Sequence, residues 1–180
     1  GESATKALNK FVVLLNKNAP KSFNWHYEFI PNQIHMTTPY LTIYAGMAHV
    51  FSDYRAPRFN SYSEFQTKGG MKGLAKFYKL RGEKYQQSAE IPERTVRSLG
   101  FDFMDKNPNE AIKIFLANIK NHPKSPGAIF GLARAYENQD STKKAMTAYE
   151  DALSLAESQS ASSVGFLKRQ VDRYKKTLNN

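Results

Sequence analysis

Apolar side chains recur every three or four positions along most of this chain, which is the spacing expected of helices with one buried face. The first such run extends from Thr5 to Lys17 and ends at polar residues. Another covers Met71 to Tyr85, where lysines occupy the opposite face. The last run has five apolar residues on one face: Val164, Leu167, Val171, Tyr174 and Leu178. The pattern predicts a mostly helical protein.

One stretch has a different period. In FNWHYEF, residues 23–29, four aromatic residues alternate with polar ones. Alternation with a period of two predicts a strand with one aromatic face. Pro31 closes this strand, and a loop that contains His35 follows. Thr38-Pro39 then suits the start of a helix that extends to Phe51, because threonine can cap a helix and proline fits its first turn.

The chain repeats itself beyond Pro92. Three pairs of positions match at an interval of 34 residues: Ala111 and Ala145, Phe115 and Tyr149, Asn118 and Ala152. With a one-residue slip, Leu99-Gly100 and Phe103 match Leu132-Ala133 and Tyr136. Small residues allow paired helices to approach closely, and aromatic residues fill the gaps between them. This period and residue order resemble the tetratricopeptide repeat.

The resemblance implies two helical repeats, at about 92–123 and 126–157, followed by a capping helix at 163–178. Two repeats are fewer than the roughly three expected for a stable array, so both ends need covers. The helix at 71–85 is expected to cover the other end. The chain departs from the family pattern at Asn118, where a small residue is usual, and at Glu157, where a proline is common.

Changes in composition divide the chain into three parts. Residues 53–67 are polar and interrupted by Pro57, and they are predicted to form a linker. Residues 1–52 before it form the helix-strand-helix part, and residues 68–180 after it form the helical-repeat domain with capping helices.

Composition limits the chemistry. The 180 residues include no cysteine, which excludes a disulfide framework and thiolate metal sites. The four histidines lack metal-ligand spacing, and neither a phosphate-binding glycine loop nor a GxSxG nucleophile motif is present. We therefore predict no metal, no cofactor and no standalone active site. No apolar run is long enough to span a membrane. Cytoplasmic and periplasmic or secreted locations are both compatible with the sequence.

The order of residues around His35 carries a second resemblance. Trp25-His26-Tyr27, a short loop with His35, then Thr37-Thr38-Pro39 and a helix beginning TIYAGMAHVF resemble the carboxy-terminal end of an α/β-hydrolase. The similar branch contains enterochelin-esterase-like and esterase-D-like enzymes, and many of its members carry tetratricopeptide-like repeats after the hydrolase domain. The resemblance covers about Thr5 to Arg55.

This resemblance implies that His35 is the last member of a Ser-Asp/Glu-His triad. Its serine and acid partners are absent from this chain and are expected in a hydrolase domain upstream. Gly1 looks like a residue left by tag removal, which fits a piece of a longer protein. The parent protein is then expected to be a serine ester hydrolase for small acyl or ester substrates, and this fragment alone is expected to be inactive.

The repeats suggest a peptide groove on the first helix of each pair. Its expected residues are Arg94, Arg97, Phe101, Phe130 and Arg134, a basic and aromatic set suited to an acidic peptide or a terminal carboxylate. However, Phe101 stands where the carboxylate-clamp members of the family have asparagine. A scaffold that extends the hydrolase, or a dimerisation arm, is therefore the favoured interpretation of the repeats, with a dedicated peptide site as the alternative.

Two alternatives belong to other functional classes. The chain could be a repeat-type adaptor with no enzymatic role, in which the hydrolase-like part only supports the helices. The formal charge of +10 and the lysines between 68 and 79 also raise nucleic acid binding. The aromatic residues fall at helix core positions, however, and no nucleic acid-binding motif is present, so we predict no nucleic acid partner.

Overall fold

A computed structural model describes residues 2–34 and 36–178, with side chains from residue 5 onward. Nine helices lie within the described residues: α1 Glu2–Asn18, α2 Thr38–Val50, α3 Tyr62–Thr67, α4 Gly70–Tyr85, α5 Glu93–Met104, α6 Pro108–Asn121, α7 Pro126–Asn138, α8 Thr142–Ser158 and α9 Val164–Leu178. The prediction of a mostly helical protein is confirmed. The chain divides into two units, one ending at Ala56 and the other beginning at Pro57.

The amino-terminal unit consists of α1, a segment without regular structure, and α2. The predicted strand does not form, since residues 23–30 contain no helix, turn or strand and no described residue belongs to a strand. A strand requires a hydrogen-bonded neighbour, and no described part of the unit provides one. The segment lies against both helices, because it shares one pocket with Val12 and Asn16 of α1 and another with α2.

The carboxy-terminal unit contains two helical hairpins, α5 with α6 and α7 with α8, followed by α9. Small side chains fill the positions where helices cross: Ala111, Ala133, Ala145 and Ala152 are all fully buried. The ring of Phe115 from α6 fills the space next to α5 and α7, and it is fully buried as well. On the last hairpin, Val171 and Tyr174 of α9 pack on Ala133 and Tyr149, so α9 covers that end.

The other end of the hairpins is covered by residues from the predicted linker. Residues 62–67 are helical, with Ser61 capping α3 by accepting a hydrogen bond from the backbone N–H of Glu64 at 3.1 Å. Phe65 is buried against Phe103 of α5, with ring centroids 5.5 Å apart. The Tyr62 hydroxyl donates a hydrogen bond of 2.7 Å to Glu110 of α6.

The helix α4 has a narrow buried stripe. Leu74 and Tyr78 are buried, whereas Ala75 is exposed. The hydroxyl of Tyr78 shares a hydrogen bond of 2.9 Å with Thr95 of α5. Both α3 and α4 therefore contact the first hairpin, whereas the sequence pointed to α4 alone.

Candidate functional site

The predicted triad histidine, His35, lies outside the described residues. The residues on either side of it form a turn that is closed by its own hydrogen bonds. The Thr37 hydroxyl donates to Gln33 Oε1 at 2.9 Å, and the Thr38 hydroxyl donates to the Ile34 carbonyl at 2.9 Å. This turn leads directly into α2.

The two other histidines of the amino-terminal unit lie together. The imidazoles of His26 and His49 are stacked with centroids 5.1 Å apart, and His49 Nε2 is 2.8 Å from Asn24 Oδ1. These contacts attach the segment at 23–30 to α2 on one side of a pocket of about 410 Å³. The contacts of both histidines are thus structural, since they join the segment to the helix.

The described part of the chain contains no group of three or more His, Asp or Glu side chains placed to hold a metal ion. None of its helices combines the length and apolar character that crossing a membrane requires.

In the carboxy-terminal unit, three aromatic rings form a row. They belong to α5 and α7, which are the first helices of the two hairpins, and to α9. The ring of Phe130 lies 6.5 Å from that of Phe101 and 5.2 Å from that of Phe166. Phe166 is 42% exposed, and the other two rings are partly buried. The structure therefore brings together two predicted groove residues, Phe101 and Phe130, and adds Phe166. We call these three residues the aromatic row.

Arginines lie beside the aromatic row on α5. Arg94, Arg97 and Phe101 are three and four positions apart, and they share one helix face. Arg94 is exposed. The guanidinium of Arg97 lies directly over Gly127 of α7, because a Cβ at that glycine would be only 3.1 Å from Arg97 Nη1.

Arg97 is held in place by residues that sequence reasoning did not assign to the groove. Its Nε is 3.2 Å from Glu93 Oε1, and the same oxygen accepts a hydrogen bond of 3.1 Å from the amide of Asn118. Asn118 is fully buried, and its amide also donates to the Glu93 carbonyl at 3.4 Å. The asparagine that departs from the repeat pattern thus fixes the first turn of α5. In the sequence, this role of Asn118 is indicated by a polar side chain at a core position where the repeat family usually has a small residue.

Arg134, the fifth predicted groove residue, belongs to a polar cluster around Glu137. Arg134 Nη1 is 3.4 Å from Glu137 Oε2. Arg173 of α9 donates two hydrogen bonds to the same carboxylate, at 2.8 and 3.0 Å, and the buried Tyr149 hydroxyl donates another. We call these four residues the Glu137 cluster.

The Glu137 cluster is electrostatically matched. Burial by itself would raise the pKa of Glu137, but the hydrogen bonds from Arg173 and Tyr149 and the charges of Arg134 and Arg173 hold that pKa below its usual range. Burial and the hydrogen bond to Glu137 raise the pKa of the Tyr149 hydroxyl, so it stays protonated as a donor. The Glu137 cluster joins α7, α8 and α9. Because Glu137 already accepts hydrogen bonds from several donors, contacts to a ligand are left to the aromatic row and to α5.

No family model, no curated protein and no solved structure matches this chain.

Proposed function

We propose that this chain is the carboxy-terminal part of a serine ester hydrolase. In this proposal the amino-terminal unit completes an α/β-hydrolase domain and supplies the triad histidine, His35. The carboxy-terminal unit is a non-catalytic, tetratricopeptide-like module for assembly or protein interaction. The partners of the chain are the upstream hydrolase domain and a small ester substrate bound by the complete protein.

The observation that carries this proposal is the missing core of the amino-terminal unit. No described side chain of the unit, at 5–34 and 36–56, is buried. Most of its large apolar side chains are instead exposed: Leu8, Phe11, Val13, Leu14, Phe23, Tyr27, Phe29, Ile34, Met36, Tyr40, Leu41, Ile43, Tyr44, Met47, Val50, Phe51 and Tyr54. Apolar surface on this scale marks an interface with another body.

The arrangement of the unit suits one kind of missing body. In an α/β domain, helices pack on the strands of a sheet. One strand taken out of such a domain with its two neighbouring helices would leave a non-helical segment between two helices, which is the arrangement of this unit. Mid-helix Gly46 on α2 supports this, since a Cβ there would meet no atom within 4 Å. Glycine inside a helix costs about 1 kcal/mol relative to alanine, and close packing against a sheet would explain it.

The chemistry of the resemblance gives His35 its role. A serine hydroxyl is a weak nucleophile at neutral pH, and an imidazole can accept its proton and return it to the leaving group. The nucleophile, the oxyanion donors and the acid that orients the imidazole would all come from the upstream domain. His35 by itself has neither positioned substrate nor oxyanion site, so this chain alone is inactive.

The test is hydrolysis of a short-chain aryl ester by the complete protein, with His35→Ala beside the wild type. We expect kcat/KM to fall by roughly 10²- to 10⁴-fold, because general-base catalysis is lost. His122→Ala is the matched control, since it removes an imidazole at the end of α6 and should leave the rate unchanged. Equal rates in all three proteins, or no ester hydrolysis by the wild type, would overturn the proposal.

The second candidate is a helical-repeat adaptor that binds a peptide and has no enzymatic role. The aromatic row favours it, because partly exposed aromatic side chains beside Arg94 and Arg97 suit an acidic peptide. The two candidates differ in the complete protein, where only the first requires a catalytic serine upstream and a rate that depends on His35.

A further inference from the structure

We infer that residues 25–29 pair with the same residues of a second copy of this chain, antiparallel and centred on Tyr27. A strand has two edges, and a hydrolase sheet would occupy only one of them. The other edge is then occupied by the second copy. The inference therefore stands independently of the proposed ester hydrolase.

The backbone of this segment is available for pairing. Phe23 donates its N–H to the Pro20 carbonyl at 2.8 Å, but from 24 to 30 no backbone–backbone hydrogen bond joins the segment to another described residue. Contacts made by side chains hold it instead, through Asn24 and His26 on His49. Backbone N–H and C=O groups in such a segment readily pair with another chain.

The register centred on Tyr27 places aromatic residues opposite aromatic ones and also places a histidine opposite a glutamate. With Tyr27 opposite Tyr27 of the copy, Trp25 lies opposite Phe29 and His26 lies opposite Glu28, and each of these pairs occurs twice by symmetry. Aromatic pairs and imidazole–carboxylate pairs directly opposite one another both stabilise antiparallel strands. Within one chain His26 Nε2 is already near Glu28 Oε2, at 3.7 Å, with both side chains more than half exposed.

Exposure of the aromatic side chains gives this register its driving force. Phe29 is 74% exposed and Tyr27 is 38% exposed. Pairing places Phe29 against Trp25 of the copy and so removes apolar surface from water at the two ends of the ribbon. A shift by one residue would place aromatic residues opposite polar ones and lose both sets of pairs.

Single cysteines test the register directly, because the natural chain contains none. Tyr27→Cys should form a disulfide-linked dimer under mild oxidation, since directly opposite positions bring the two Cα atoms within the range of about 4.4–6.8 Å that disulfides require. Phe29→Cys alone should remain unlinked, because its two copies would be separated by four residues, or roughly 13 Å. A mixture of Phe29→Cys and Trp25→Cys should form a mixed dimer.

Sedimentation equilibrium provides a second test without any oxidation. Glu28→Lys should raise the dimer dissociation constant by about tenfold, because two favourable cross-strand pairs become unfavourable. Adding His26→Glu to the same chain should restore pairing. Equal cross-linking of all single cysteine variants, or no cross-linking and a monomer at every concentration, would overturn the inference. Neither outcome would bear on the proposed ester hydrolysis, which is tested separately with His35→Ala.

Discussion

At the scale of residues, two glycines make room for one phenylalanine. A Cβ at Gly100 of α5 would lie 2.5 Å from the ring of Phe115, and a Cβ at Gly131 of α7 would lie closer still to that ring. Both distances are far shorter than a van der Waals contact, and the ring has no free space because it is fully buried. The approach of α5 and α7 to α6 therefore depends on hydrogen atoms at these two positions.

Gly131→Ala should consequently destabilise the carboxy-terminal unit. We expect the free energy of unfolding to fall by about 2–3 kcal/mol, the usual effect of forcing an extra group into a packed core, as measured by urea denaturation. Gly165→Ala on α9 is the matched control, because its Cβ would meet only the Arg169 side chain at 3.7 Å. There the gain in helix propensity should leave stability unchanged or raise it by up to ~1 kcal/mol. Equal effects of both substitutions would contradict this packing account.

The repeat pattern predicted some of these residues and not others. Gly100 was matched with Ala133 by the repeat, and the need for small residues at helix crossings follows from sequence. Gly131 lies outside that match, and its role depends on a ring 16 positions earlier in the chain. Contacts of this kind are set by how hairpins stack, which a one-dimensional pattern does not encode.

At the scale of elements, α9 is held on the last hairpin by an apolar stripe and by the Glu137 cluster. Leu167, Val171 and Tyr174 are buried on its inner face. Arg173, next to Tyr174 in sequence, reaches Glu137 of α7 with both terminal guanidinium nitrogens. The capping helix predicted at 163–178 thus corresponds closely to α9, while the ion pair that orients it was not anticipated because its partners are 36 residues apart.

Acid should weaken this attachment in a defined direction. A carboxyl group whose pKa is lowered in the folded state adds stability above its unfolded pKa, and that stability is lost as the pH falls through the lower, folded pKa. For Glu137 the loss should begin near the ordinary glutamate value of 4.5 and continue below it. Glu137→Gln should therefore cost about 2 kcal/mol at pH 7 and progressively less below pH 4.5.

Thermal unfolding of both proteins between pH 7 and pH 3 would check this prediction. The difference in stability between wild type and Glu137→Gln should shrink as the pH falls, since protonation makes the two side chains more alike. A difference that stays constant across this range would show that the cluster contributes through packing alone. Lys175→Ala serves as the control, because its pairing with Glu150 is largely exposed and should contribute little.

The elements before residue 68 show where pattern reasoning succeeded and where it failed. The helical periodicity from Thr5 and from Thr38 corresponds to α1 and α2, because helices are closed by local hydrogen bonds. The strand at 23–29 did not appear, since a strand depends on a neighbour that the described chain does not contain. The short helix α3 was missed inside the predicted linker, although Ser61 and Glu64 have the spacing of a capping box.

At the scale of the whole molecule, the two units differ in how they are stabilised. The carboxy-terminal unit has clusters of buried side chains across its hairpins and α9. Its exposed large apolar residues are few, namely Leu80, Leu116, Phe166 and Leu178. The amino-terminal unit has no buried described side chain. The sequence showed apolar faces in both units, but only the structure shows that one set of faces remains uncovered.

The measurement that tests this account most directly is hydrogen exchange, followed by mass spectrometry, on this chain and on the complete protein that the proposal requires. In this chain we expect amides of α1 and α2 to exchange within seconds while α6 and α8 stay protected, because unfolding of a unit without a core costs little. In the complete protein α1 and α2 should become as protected as α6 and α8. Equal and strong protection of α1 and α2 in both proteins would contradict the claim that this unit belongs to a larger α/β domain.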